Sequence, residues 1–140
     1  MAHSSPVRIL DAPLAVVRSI LLDPAGFPTW NPSFLQVEYP GLAKVGQRGA
    51  VWTAFGLHGY LTYSFIAETT VMFRWAVPRL EENDTWALAD AGDGRTEVRH
   101  WMTRRGELAD FTRPSVRSLP AWRLDRLERR LAATKRVLAS

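Results

Sequence analysis

Near its C-terminus the sequence carries its one long helical stripe. Leu124, Leu127, Leu131 and Leu138 recur at helical spacing, while Arg123, Arg126, Arg129, Arg130 and Arg136 lie mostly off it. Residues 34–104 read differently, as short strands separated by turns. An antiparallel sheet has two faces, and one of them must be covered. The C-terminal helix alone is long and apolar enough to cover it. The stripe therefore restricts the chain to a sheet closed by one helix.

The order of elements supports this. Val7–Leu10 reads as a first strand. Asp11 then stands before Ala12-Pro13, an N-cap followed by Pro in the first turn, and Leu14, Val17, Ile20 and Leu21 continue at helical spacing to Leu22. Asp23-Pro24 stops that helix, and Pro24–Trp30 suits a second, short helical turn. Strands follow at Phe34–Tyr39, Gly49–Phe55, Tyr60–Ala67, Val71–Val77, Thr85–Ala89 and Thr96–Arg104, with Gly92-Asp93-Gly94 marking a hairpin. Leu119–Leu138 is predicted as one helix with Pro120 in its first turn; a start near Pro114 would place a bend at Pro120. The fold class is α+β: a curved antiparallel sheet of about seven strands around a long C-terminal helix, with two short helices after the first strand. At 140 residues the chain is the size of one domain, expected over 1–140 with a mobile terminus at 1–5.

Several local runs occur in one order along nearly the whole chain. They are Ile9-Leu10-Asp11-Ala12-Pro13 leading into a helix, Asp23-Pro24 followed by Phe27-Pro28, Trp30-Asn31-Pro32, Gly46 with Gly49 before a strand, Val71–Trp75, and Thr96-Glu97-Val98-Arg99-His100-Trp101 with Gly106 beyond. Together they resemble the superfamily that joins lipid-transfer START domains, the birch-pollen-allergen fold and bacterial polyketide cyclases (SRPBCC). Trp30-Asn31-Pro32 resembles the polyketide cyclase/dehydratase branch most specifically. The resemblance implies a helix-grip fold around a pocket. Members bind hydrophobic ligands, carry lipids, or cyclise and dehydrate polyketide chains, and their catalytic residues differ among branches, so none is carried over.

Composition removes several functions. With no cysteine, a disulfide framework, thiolate catalysis, a Cys-based zinc site and cysteine-ligated clusters are excluded. His3, His58 and His100 lack ligand spacing, so no metal site is expected. Neither GxSxG nor a Gly-rich phosphate loop occurs, and no cofactor is expected. Net charge is +4, but Glu107, Asp110, Asp125 and Glu128 interrupt the basic C-terminal residues, which read as a solvated helix face without a nucleic-acid partner. No apolar run approaches the ~18 residues of a membrane span, and the N-terminus lacks a signal-peptide layout. The expectation is a cytoplasmic monomer or homodimer without stable membrane insertion.

Strand alternation nominates the pocket. Val98, His100 and Met102 form the more apolar face of the last strand; Tyr63 and Phe65 share the apolar face of theirs, with Phe73, Trp75, Trp86 and Leu88 extending the lining. The face on which Trp52 and Phe55 lie stays open, and His58 is expected at the surface. Three functions remain compatible with this set. The first is binding or carriage of a small hydrophobic or polyketide-like molecule. The second is a cofactor-free cyclase or dehydratase with His100 and Tyr63 as acid/base pair. The third is a protein-interaction module that uses the basic helix.

Overall fold

The computed structural model describes residues 5–139, so the expected mobile terminus lies, in residues 1–4, outside the described residues, as does the Leu138 side chain. Strand β1 (Val7–Leu10) leads into α1 (Leu14–Leu21) and a 3-10 turn over Pro24–Thr29. Then come β2 (Phe34–Glu38), β3 (Arg48–Thr53), a short 3-10 turn at Ala54–Gly56, β4 (His58–Ile66), β5 (Thr70–Val77), β6 (Leu80–Gly92) and β7 (Arg95–Arg105). Helices α2 (Glu107–Val116) and α3 (Leu119–Ala139) end the chain. All neighbouring strands pair antiparallel in the order β1-β7-β6-β5-β4-β3-β2. Leu124, Leu127 and Leu131 of α3 are buried in the core, as the stripe predicts.

Trp30-Asn31-Pro32 forms the junction between the first 3-10 turn and the sheet. Trp30 is buried against Phe27 and Trp86, with ring centroids 5.6 and 5.4 Å away. Asn31 Oδ1 accepts the Ser33 N–H at 3.1 Å, and its own N–H reaches Phe27 O at 2.7 Å. The last turn of α1 is tied down from the sheet, where the Tyr63 hydroxyl donates to Leu21 O at 2.6 Å. That bond satisfies one of the carbonyls a helix end leaves without an intrahelical partner.

Three features depart from the expected layout. β6 begins at Leu80 rather than Thr85, because Glu81-Glu82-Asn83-Asp84 is paired strand. A tight hairpin joins β5 to β6, with Val77 opposite Leu80 and Arg79 at φ 70°. Second, a separate helix, α2, occupies Glu107–Val116, ahead of the predicted helix over Leu119–Leu138. Its start packs on that hairpin: Leu108 N–H donates to Arg79 O at 3.1 Å. Gly106 (φ 109°) makes the approach possible, since a Cβ there would lie 2.2 Å from Arg79 O. Third, β4 and β5 shift register between Tyr63 and Phe65. The bulge reverses the alternation, so Phe65 is 48% exposed and does not face the interior as predicted.

Candidate functional site

Side chains on the concave face of the sheet line up in rows across the strands. Leu61, Trp75, Glu82 and Arg104 are consecutive partners on β4, β5, β6 and β7. The next row is Tyr63, Phe73, Asp84 and Met102; beyond it stand Trp86 opposite His100, then Leu88 opposite Val98. Apart from Phe65, the nominated residues therefore share this face. Tyr63, Phe73, Trp75, Trp86, Leu88, Val98 and His100 are buried, and Met102 is half-buried. Several of them are in direct ring contact with one another or with Phe27 and Trp30. Phe73 touches Phe27 and Tyr63 with centroids 5.3 and 5.5 Å apart, and Trp86 stacks on His100 at 3.7 Å. Trp52 is half-buried beside His58, which is exposed as expected; Phe55 lies beyond the strand, on the Ala54–Gly56 turn.

Among these rings lies a buried ionic cluster that the sequence reading did not anticipate. Arg123 of α3 enters it fully buried. Its Nη1 donates to Asp84 Oδ1 at 2.8 Å and its Nη2 to Glu82 Oε2 at 2.8 Å and Ser33 Oγ at 2.6 Å. Trp75 Nε1 donates to Glu82 Oε2 at 2.7 Å, and Arg104 Nε to Glu82 Oε1 at 2.7 Å. Two carboxyls and the His100 imidazole surround the Arg123 guanidinium. A signal was present for each member. Glu82 and Asp84 have the same strand parity as Trp86 and Leu88, and Arg123 lies four residues before Leu127, on the stripe rather than off it.

The cluster sets the protonation of its members. Burial opposes charge on Glu82, yet Arg123, a hydrogen bond from Asp84 and Arg104 hold its carboxyl down to about 2. Burial and the neighbouring Glu82 charge push Asp84 well above the usual carboxylate range. His100 is driven down to about 3 by burial and by the Arg123 charge. Its Nδ1 lies 3.0 Å from Thr85 O; a carbonyl only accepts, so the proton is on Nδ1. Nε2 is then the acceptor for Arg123 Nη1 at 3.2 Å, and the ring is neutral. The Tyr63 phenol is pushed up by burial, and its proton is engaged by Leu21 O. No hydrogen bond joins Tyr63 to His100 among the described residues.

Open space lies beside this cluster, at the end of the sheet where the β5–β6 hairpin meets α2, α3 and the Ala54–Gly56 turn. The cleft there measures about 570 Å3. Its walls include Leu57, Leu80, Leu108, Leu119 and Trp122; Ser33, Trp75 and Arg104 stand where it meets the ionic cluster. Trp75 is the one nominated residue in this wall. A second, shallower groove of about 670 Å3 runs between α1 and the β4–β5 turn, past Leu14, Arg18 and Ile66.

A seven-stranded antiparallel sheet gripping a long C-terminal helix is the helix-grip fold of START proteins. A family model described as polyketide cyclase / dehydrase and lipid transport matches residues 1–139, and the chain belongs to that family. Among solved structures it is similar to a START superfamily protein from Mycobacterium smegmatis at 13% identity and TM-score 0.77, covering 94% of this chain and 97% of that one. Protein MLL2253 from Mesorhizobium loti is 17% identical with TM-score 0.68 and coverage of 94% and 98%. The di-domain ARO/CYC BexL from the BE-7585A biosynthetic pathway is 17% identical with TM-score 0.65, over 91% of this chain and 47% of that one. No curated protein matches the sequence. No helix among the described residues is long and apolar enough to cross a membrane.

Proposed function

We propose that the chain binds a small, largely apolar molecule in the cleft between the β5–β6 hairpin, the Ala54–Gly56 turn and helices α2 and α3. The observation that carries this reading is the cleft itself: about 570 Å3 of space, walled by leucines and Trp122, ending on side chains fixed by a buried ionic cluster. Ligand sites commonly enclose roughly 300–1,000 Å3 with apolar walls and a few placed polar groups. The family's description, which spans cyclisation and lipid transport, is compatible with such a pocket. Compared with the sequence expectation, the binding site moves from the packed centre of the sheet to its end.

Catalysis by a His100–Tyr63 pair receives less support. A histidine driven to about 3 is neutral across the physiological range and a poor proton donor, and Tyr63 is tied to α1. A protein-interaction role for α3 is also weaker, because Arg123 faces the core and Asp125 and Glu128 pair with Arg8.

Native mass spectrometry of freshly purified protein tests the proposal. The expected result is a retained apolar species released on denaturation. Leu108→Trp, which fills the cleft from α2, should abolish retention while the circular dichroism spectrum stays unchanged. Retention by Leu108→Trp equal to wild type would overturn the assignment.

A further inference from the structure

Arg104 stands in the wall of the cleft. The residue projects from β7 with 12% of its side chain exposed. Its Nε donates to Glu82 Oε1, and its Nη1 donates to Thr112 Oγ1 at 3.1 Å. Thr112 Oγ1 in turn donates to Leu108 O at 2.8 Å, so the guanidinium is fixed from both sides. Among the described residues nothing hydrogen-bonds to Nη2. The other oxygen of Glu82 is shared by Arg123 and Trp75, so one carboxylate faces two arginines. Asp84, the remaining carboxyl, sits on Arg123 and is pushed toward its protonated form by burial and by Glu82. The Arg104 guanidinium therefore stands at the edge of the cleft beside leucine walls that screen its charge poorly.

Resting on the cleft as the binding site, we infer that its ligand is an apolar molecule bearing a carboxylate, and that Arg104 is the residue that reads this group. A guanidinium fork matches a carboxylate in charge and geometry. Because Arg104 is already held, little ordering cost opposes the contact. The leucine walls and Trp122 take the hydrocarbon or ring.

Two acid and ester pairs test this at pH 7.5, followed by tryptophan fluorescence: 2-naphthoate against its methyl ester, and dodecanoate against methyl dodecanoate. In at least one pair the acid should bind about tenfold tighter or more, the range of a charge-assisted hydrogen bond. The preferred pair tells ring from chain. Arg104→Gln should bring the acid-to-ester ratio close to one, and Arg104→Lys should restore part of it. If Arg104→Gln does not fold, Thr112→Val releases the guanidinium and should lower the ratio several-fold. Equal binding of acid and ester in both pairs overturns the inference and leaves the cleft assignment standing. Failure of all four compounds to bind overturns both.

Discussion

Arg123 is a residue whose chemistry and position point opposite ways. Its charge reads as surface, but its spacing from Leu127 and Leu131 places it on the buried stripe of α3, and there it is fully buried. Its partners Glu82 and Asp84 were illegible for the same reason, since a run of acidic residues resembles a loop until strand parity is carried back from Trp86. Phe65 failed differently: its alternation was read correctly, but a bulge at the preceding pair turns it outward, and nothing in the local composition marks that bulge. The two carboxyls of the cluster should respond differently to neutralisation. Glu82→Gln removes the charge that Arg123 and Arg104 share, and should cost about 3–5 kcal/mol, the range for breaking a buried ion pair. Asp84→Asn removes a carboxyl whose charge burial and Glu82 already oppose, and should cost less than Glu82→Gln at pH 7. Urea denaturation of both variants separates them; equal losses would contradict that order.

At the level of elements, order and type were largely legible because turns punctuate the strands and only one stretch has a long helical stripe. Boundaries failed where polar residues pair inside the sheet, as in the first half of β6, and where a helix is short, as in α2. Both misreadings meet at the end of the sheet that borders the proposed cleft. The β5–β6 hairpin is held there by Gly106. Gly106→Ala should destabilise by about 1–3 kcal/mol, through positive-φ strain and the clash with Arg79 O, measurable by thermal denaturation. At the N-terminal end of β2, Trp30 anchors the junction from the 3-10 turn. Trp30→Ala should cost about 3–5 kcal/mol, the range for truncating a buried aromatic, and an unchanged urea midpoint would contradict its packing between Phe27 and Trp86.

For the molecule as a whole, the fold was readable because its covering requirement has one solution, whereas the site was not, because it depends on ions brought together from α3, β6 and β7. That cluster makes stability depend on pH. Unfolded His100 takes a proton near pH 6.5, but the folded ring refuses it until about 3, so its contribution is lost as pH falls through that window. Glu82 adds loss in the same direction at lower pH, from 4.5 in the unfolded chain toward about 2. Asp84 acts in reverse: its folded pKa is raised, so its contribution is lost as pH rises above 3.8 toward the folded value. His100→Gln should therefore flatten the urea midpoint between pH 6.5 and 3 relative to wild type; an unchanged slope would contradict a neutral His100. The central claim, that the ligand site is the end cleft and not the packed centre, is tested most directly by the tryptophan indole signals in a 1H–15N NMR titration with 1-anilinonaphthalene-8-sulfonate. Trp75 and Trp122, which line the cleft, should shift with saturation, while Trp30 and Trp86 stay in place. Shifts confined to Trp30 and Trp86, or no saturable shift at Trp75 and Trp122, would contradict it.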